Sequence, residues 1–142
     1  MYINSSIDGM ASKSMTPERL AEQKKVVEKA VASRMLNKYS GVMISGENSQ
    51  IIKSHTGELK NTHNSVFKDC LGKKACEHCG IEGRLDRAHT KSKLEIAKDV
   101  LDELHPVAEI AIDMKMFMTA FVMRHSTVGV WMLCKKCHKE LG

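Results

Sequence analysis

Five cysteines occur in 142 residues, and four of them form two pairs of identical spacing, Cys76-Glu-His-Cys79 and Cys134-Lys-Lys-Cys137. A two-residue gap turns both sulfurs of a pair towards one point, so two such pairs make a tetrahedral thiolate set. Four soft thiolates select zinc, in a closed site that staples the chain rather than one that performs chemistry. A redox dithiol would use one pair and leave the other idle. Cys134-Lys-Lys-Cys137-His138 also matches a c-type haem attachment run, but haem leaves Cys76 and Cys79 without a purpose and normally joins an exported protein. The expectation is one structural zinc ion on Cys76, Cys79, Cys134 and Cys137. The remaining Cys70 reads as buried packing.

Between the pairs runs Leu85-Asp86-Arg87-Ala88-His89, and His138 follows the last cysteine directly. The order is Cys-x-x-Cys, a short strand ending in Ala-His, then an apolar strand leading into Leu-Cys-x-x-Cys-His. It resembles the zinc-stapled HNH endonucleases of the ββα-metal class. The resemblance covers residues 76–90 and 130–142, under a third of the chain, and does not reach residues 1–70. It implies an α+β fold and hydrolysis of phosphodiester bonds in DNA, leaving a 5′-phosphate and a 3′-hydroxyl. His89 would be the general base, a task that suits imidazole because its ordinary pKa lies near working pH. His138 would bind a single divalent ion, usually magnesium.

Two departures stand against this pattern. Many members of the family carry a metal ligand just before the base, where this chain has Ala88. Asp86 lies on the same strand face as Ala88 by alternation, so it either completes the metal shell or pairs with Arg84 or Arg87. The second departure is the missing middle asparagine: none occurs after Asn64. His125, Ser126 or Thr127, in the loop before the second strand, are the candidates to orient His89 instead. The rival reading is a non-catalytic zinc module that binds nucleic acid or protein, with His89 and His138 incidental.

The elements that must carry these residues are partly legible. Thr16-Pro17-Glu18 reads as a helix start, with Leu20, Val27, Val31 and Met35 on one face over five to six turns. The lysines and arginines between them read as a solvated outer face. Residues 40–75 suggest a hairpin or loop around Gly46-Glu47-Asn48, then a short helix. Ser92-Lys93-Leu94-Glu95 is a capping box opening a helix with Leu94, Ala97, Leu101 and Leu104 on its stripe. That helix should end near His105-Pro106. A second should run on from Pro106, burying Val107, Ile110, Met114, Phe117, Phe121 and Val122, with the methionines as core filler. This divides the chain into a mostly helical extension, residues 1–70, and a stapled core, residues 71–142, with a helical insertion at about 92–124.

The net charge of +5 is a mild bias towards a polyanion. Arg84, Arg87, Lys91, Lys93, Lys135, Lys136 and Lys139 surround the motif, and Arg84, Arg87, Lys91, Lys135, Lys136 and Lys139 are the candidate phosphate contacts. His78 should face solvent; His55, His63 and His105 have no evident partner. The opening MYINSSIDGMASKSM lacks the basic start and apolar run of a secretory signal, and no stretch suits a membrane span. The expectation is an intracellular protein, in cytoplasm or nucleus, with DNA as partner and a homodimer as one arrangement for cutting both strands.

Overall fold

Pro17, whose fixed φ suits the first helical position, opens helix α1 (Pro17–Ala32). The computed structural model describes residues 17–68, 72–89 and 91–141. The ragged leader of residues 1–15, the Thr16 cap, Cys70 and the domain boundary near residue 70 lie outside them. A turn of 3-10 helix (Asn37–Tyr39), strand β1 (Met43–Ile44), and helices α2 (Asn48–Ser54) and α3 (Thr56–Val66) follow α1. Then come β2 (Asp86–His89), α4 (Lys93–Leu104), β3 (Ile112–Asp113), α5 (Met114–Arg124), β4 (Val130–Leu133) and α6 (Lys135–Leu141). The architecture is mixed α+β, with two small antiparallel sheets among the described residues, β1 with β3 and β2 with β4.

Helix α1 differs from its sequence reading in length and in the face it buries. It spans 16 residues, about four and a half turns, and ends where the Ser33 hydroxyl donates to the Ala30 carbonyl at 2.6 Å. Its buried stripe is Arg19, Gln23, Val27 and Ala30, while Leu20, Val31 and Met35 are only half-buried. Two polar side chains therefore point inward, and buried polar groups demand partners. Of the hairpin or loop expected around Gly46-Glu47-Asn48, Gly46 and Glu47 are a loop and Asn48 is the first residue of α2.

Ser92 caps α4 as expected, its hydroxyl accepting from the Glu95 amide at 3.2 Å. The stripe is shifted: Ile96, Ala97, Val100 and Leu101 are buried, whereas Leu94 is exposed. The second helix begins at Met114 rather than Pro106, because other contacts hold the segment between them. His105 is held between the Asn48 side chain at 2.8 Å and the Ile110 carbonyl at 2.7 Å. Residues 112–113 pair with β1, and the Asp113 carboxylate accepts from the Lys115 amide at 2.7 Å to cap α5. Val107 and Ile110 are consequently exposed. Met114 and Met118 fill the core, while Met116 and Met123 do not.

One apolar core draws on residues from both ends of the chain, among them Val27, Phe67, Leu101, Phe117, Phe121 and Trp131. Strand β4 runs through it, with all four of its residues buried. The β2–β4 pairing sets Asp86 opposite Leu133 and His89 opposite Val130. Helix α6 packs on both strands, so the two strands and this helix form one unit carrying most of the chemistry-bearing residues.

Candidate metal centres

The four paired cysteines converge. All are free thiols, and their sulfurs lie within 4.8 Å of one another. Sulfurs around tetrahedral zinc sit about 3.8 Å apart, as Zn–S bonds of about 2.3 Å require. The Cys79 and Cys134 sulfurs are 3.7 Å apart. The first knuckle tops a narrow hairpin: the Cys76 amide donates to the Ile81 carbonyl at 2.9 Å, and Gly80 turns the chain at φ 80, where a side chain would be strained. The amides of His78 and Cys79 point at the Cys76 sulfur at 3.4 and 3.5 Å, and the Cys137 amide points at the Cys134 sulfur at 3.4 Å. Burial pushes the Cys76 thiol up, but backbone donors from Cys79, Cys134 and His78 outweigh it and lower the pKa to about 6. The Cys137 thiol is raised, first by burial and then by the neighbouring thiols. His78 is exposed as expected, although its Nδ1 is 3.4 Å from the Cys137 sulfur.

Strand alternation splits β2 between two neighbourhoods. Asp86 faces α6, where its Oδ2 lies 3.2 Å from His138 Nδ1; both side chains are partly exposed. Among the described residues Asp86 makes no ion pair with Arg84 or Arg87. Arg87 turns the other way, its Nε donating to the Phe67 carbonyl at 3.1 Å.

His89 shares that side, and there it meets two histidines. Its Nε2 is 2.6 Å from His63 Nε2, and the His89 and His125 rings stand edge to face at 5.5 Å between centroids. His63, His89 and His125 each place a ligand nitrogen within 4.8 Å of the others. Phe67 and Phe121 pack against this trio. Burial holds all three imidazoles below their ordinary range. His89 falls to about 3, through burial first and then the charges of His125, Lys93, His138 and Arg87. His125 falls to about 4, mainly through burial. His63 is lowest, through burial and then the two neighbouring rings. At neutral pH the trio is uncharged.

The polar stripe of α1 anchors the strands. Arg19 grips the Glu77 carboxylate with two bonds, at 2.9 and 3.1 Å, and the Val130 carbonyl at 2.7 Å. Glu77 in turn accepts from the Met132 amide at 2.7 Å. The Gln23 amide donates to the carbonyls of His125 and Val128 and accepts from the Val130 amide at 3.4 Å. Helix α1 thus ties the first cysteine knuckle to β4 and fixes the loop that carries His125.

Of the candidate phosphate contacts, Arg84, Lys135, Lys136 and Lys139 are exposed. Lys91 is exposed but paired with Asp99, and Arg87 is half-buried. Sequence reasoning missed His63, Arg19 and Gln23. The signal for His63 was its place on the stripe Leu59, Thr62, His63 and Val66 of α3, where an apolar residue would otherwise sit.

No family model, curated protein or solved structure matches this chain. The fold and sites define a mixed α+β protein with a four-cysteine group and a separate three-histidine group, each able to chelate a metal. No helix among the described residues is long and apolar enough to cross a membrane.

Proposed function

We propose that this chain is a metal-dependent endonuclease of the HNH type, hydrolysing phosphodiester bonds in DNA. The observation that carries the reading is the 3.2 Å contact between Asp86 and His138. One residue comes from the strand that ends in His89, the other from the helix that follows the second cysteine pair. A zinc ion held by Cys76, Cys79, Cys134 and Cys137 would fix β4 and α6 to the first cysteine pair. Asp86 and His138 are a carboxylate and an imidazole at a partly exposed position, a donor pair suited to a divalent ion such as magnesium. Such an ion would neutralise charge building on the phosphate.

His89 is neutral and so free to accept a proton from water as the water oxygen attacks phosphorus. The bond to the 3′ oxygen then breaks, and that oxygen takes a proton from solvent. Arg84, Lys135, Lys136 and Lys139 are exposed cations that hold the backbone without reading bases, with Arg87 and Lys91 at the margin. His125 takes the place of the absent asparagine, bracing the His89 ring, and Gln23 holds its loop.

The competing reading is a zinc module that binds nucleic acid or protein without cutting. Two observations favour it: His89 lies on the strand face opposite Asp86, and an imidazole titrating at about 3 is a feeble base. A phosphate beside the ring brings charge of the sign that restores basicity, and on that ground we prefer the enzyme. Supercoiled plasmid with magnesium separates the two. The native chain should nick it, and His89→Ala should cut roughly a hundredfold more slowly or less while binding DNA equally well. Equal binding with no nicking by either protein would establish the module.

A further inference from the structure

The three-histidine group has a property that the nuclease reading does not use. His125 is 1% exposed, and its Nδ1 lies 2.8 Å from the Phe121 carbonyl. A carbonyl only accepts, so Nδ1 carries the hydrogen and Nε2 carries the lone pair. That Nε2 is buried with no hydrogen-bond partner among the described residues. Buried nitrogens are nearly always satisfied, and this lone pair, aimed among the other two rings, is one that a metal ion would satisfy. A ring N–H fixed on a backbone carbonyl is also the usual outer contact of a metal-binding histidine.

The 2.6 Å contact between His63 and His89 fits the same explanation. Two neutral imidazoles meeting nitrogen to nitrogen need one hydrogen between them. A metal ion replaces that hydrogen, with the nitrogens separating to about 3.3 Å around bonds of about 2.0–2.1 Å. The trio belongs to three separate pieces of chain: α3, the end of β2 and the end of α5. The buried rings of Phe67 and Phe121 pack against it, and His89 is its half-buried member, the one that solvent reaches.

We propose that His63, His89 and His125 form a second metal site, taking a divalent transition ion that prefers imidazole, such as zinc, and leaving one coordination position open. Three nitrogen donors without a carboxylate select zinc, nickel or copper and are poor hosts for magnesium. The consequence rests on the nuclease reading: an ion here takes the lone pair with which His89 would accept a proton. Magnesium at Asp86 and His138 and zinc at the trio would then have opposite effects.

The test is metal content. Native protein equilibrated with zinc and desalted should retain a second zinc beyond the one held by the cysteines. His63→Gln and His125→Gln should each retain only the first. Where a variant fails to fold, ring spectra of the native chain decide: the second equivalent of zinc must shift signals of His63, His89 and His125 and leave His138 unmoved. In parallel, the second equivalent should slow magnesium-dependent nicking by the native chain roughly tenfold or more. Each folded variant, compared with itself without zinc, should lose that sensitivity. A native chain that binds one zinc only, or whose second zinc shifts His138 instead, overturns the proposal. If the second ion binds at the trio but nothing is nicked, the metal site stands and the nuclease reading falls. Nicking by a chain that takes one zinc has the reverse meaning.

Discussion

His89 is where sequence and structure agree on a position and differ over its surroundings. The strand-end histidine was legible from Asp86-Arg87-Ala88-His89, but its neighbours were not. His63 lies 26 residues upstream, and nothing local marks two histidines as partners at that distance. The burial of the trio has a measurable consequence for stability. Folded-state pKa values of about 3 for His89 and about 4 for His125 lie below the ordinary value of 6.5. The unfolded chain therefore binds more protons between those limits. The stabilisation is complete above about pH 6.5 and is lost as pH falls towards the folded values, at about 1.4 kcal/mol per pH unit for each histidine. Urea midpoints at about pH 7 and about pH 5.5 should fall steeply for protein carrying no ion on the trio. His125→Gln has one imidazole fewer to charge and should lose less over the same interval. An identical loss would mean that His125 titrates normally.

At the scale of elements, α1 holds the strands through Arg19 and Gln23 rather than through apolar packing alone. Its existence was readable from Pro17 and its apolar spacing, yet the buried face was not. Pattern reasoning assigns polar residues to solvent, and Arg19 and Gln23 are buried because the backbone of residues 125–132 needs partners. Removing one side of the buried Arg19–Glu77 pair leaves a charge stranded, which costs about 3–5 kcal/mol. Arg19→Met should therefore lower the melting temperature sharply, while Arg19→Met with Glu77→Gln should recover part of the loss. No recovery would show that the pair is not coupled. The convergence of the four cysteines was legible because their spacing is a local rule. On the proposed zinc site, Cys134→Ser should bind no zinc and show no cooperative unfolding transition, with zinc content and circular dichroism as the readout.

Across the whole molecule, the missing piece of the sequence reading was the reach of the first half of the chain. Residues 1–70 carry no motif and so read as an extension; in the fold, Val27, Leu59 and Phe67 share one core with Phe121 and Trp131. Gln23 and His63 from that half contact the region around His89 and His125. A fragment comprising residues 71–142 lacks these contacts, and we expect it to show no cooperative thermal transition even with zinc. A folded fragment of normal stability would contradict that. The most direct test of the central proposal, that Asp86 and His138 hold one divalent ion while His89 is the base, is a magnesium titration of plasmid nicking. The account predicts that Asp86→Asn and His138→Ala need roughly tenfold more magnesium or higher for half-maximal nicking, and that His89→Ala stays inactive throughout. Nicking that is indifferent to magnesium, or that survives all three substitutions, would contradict it.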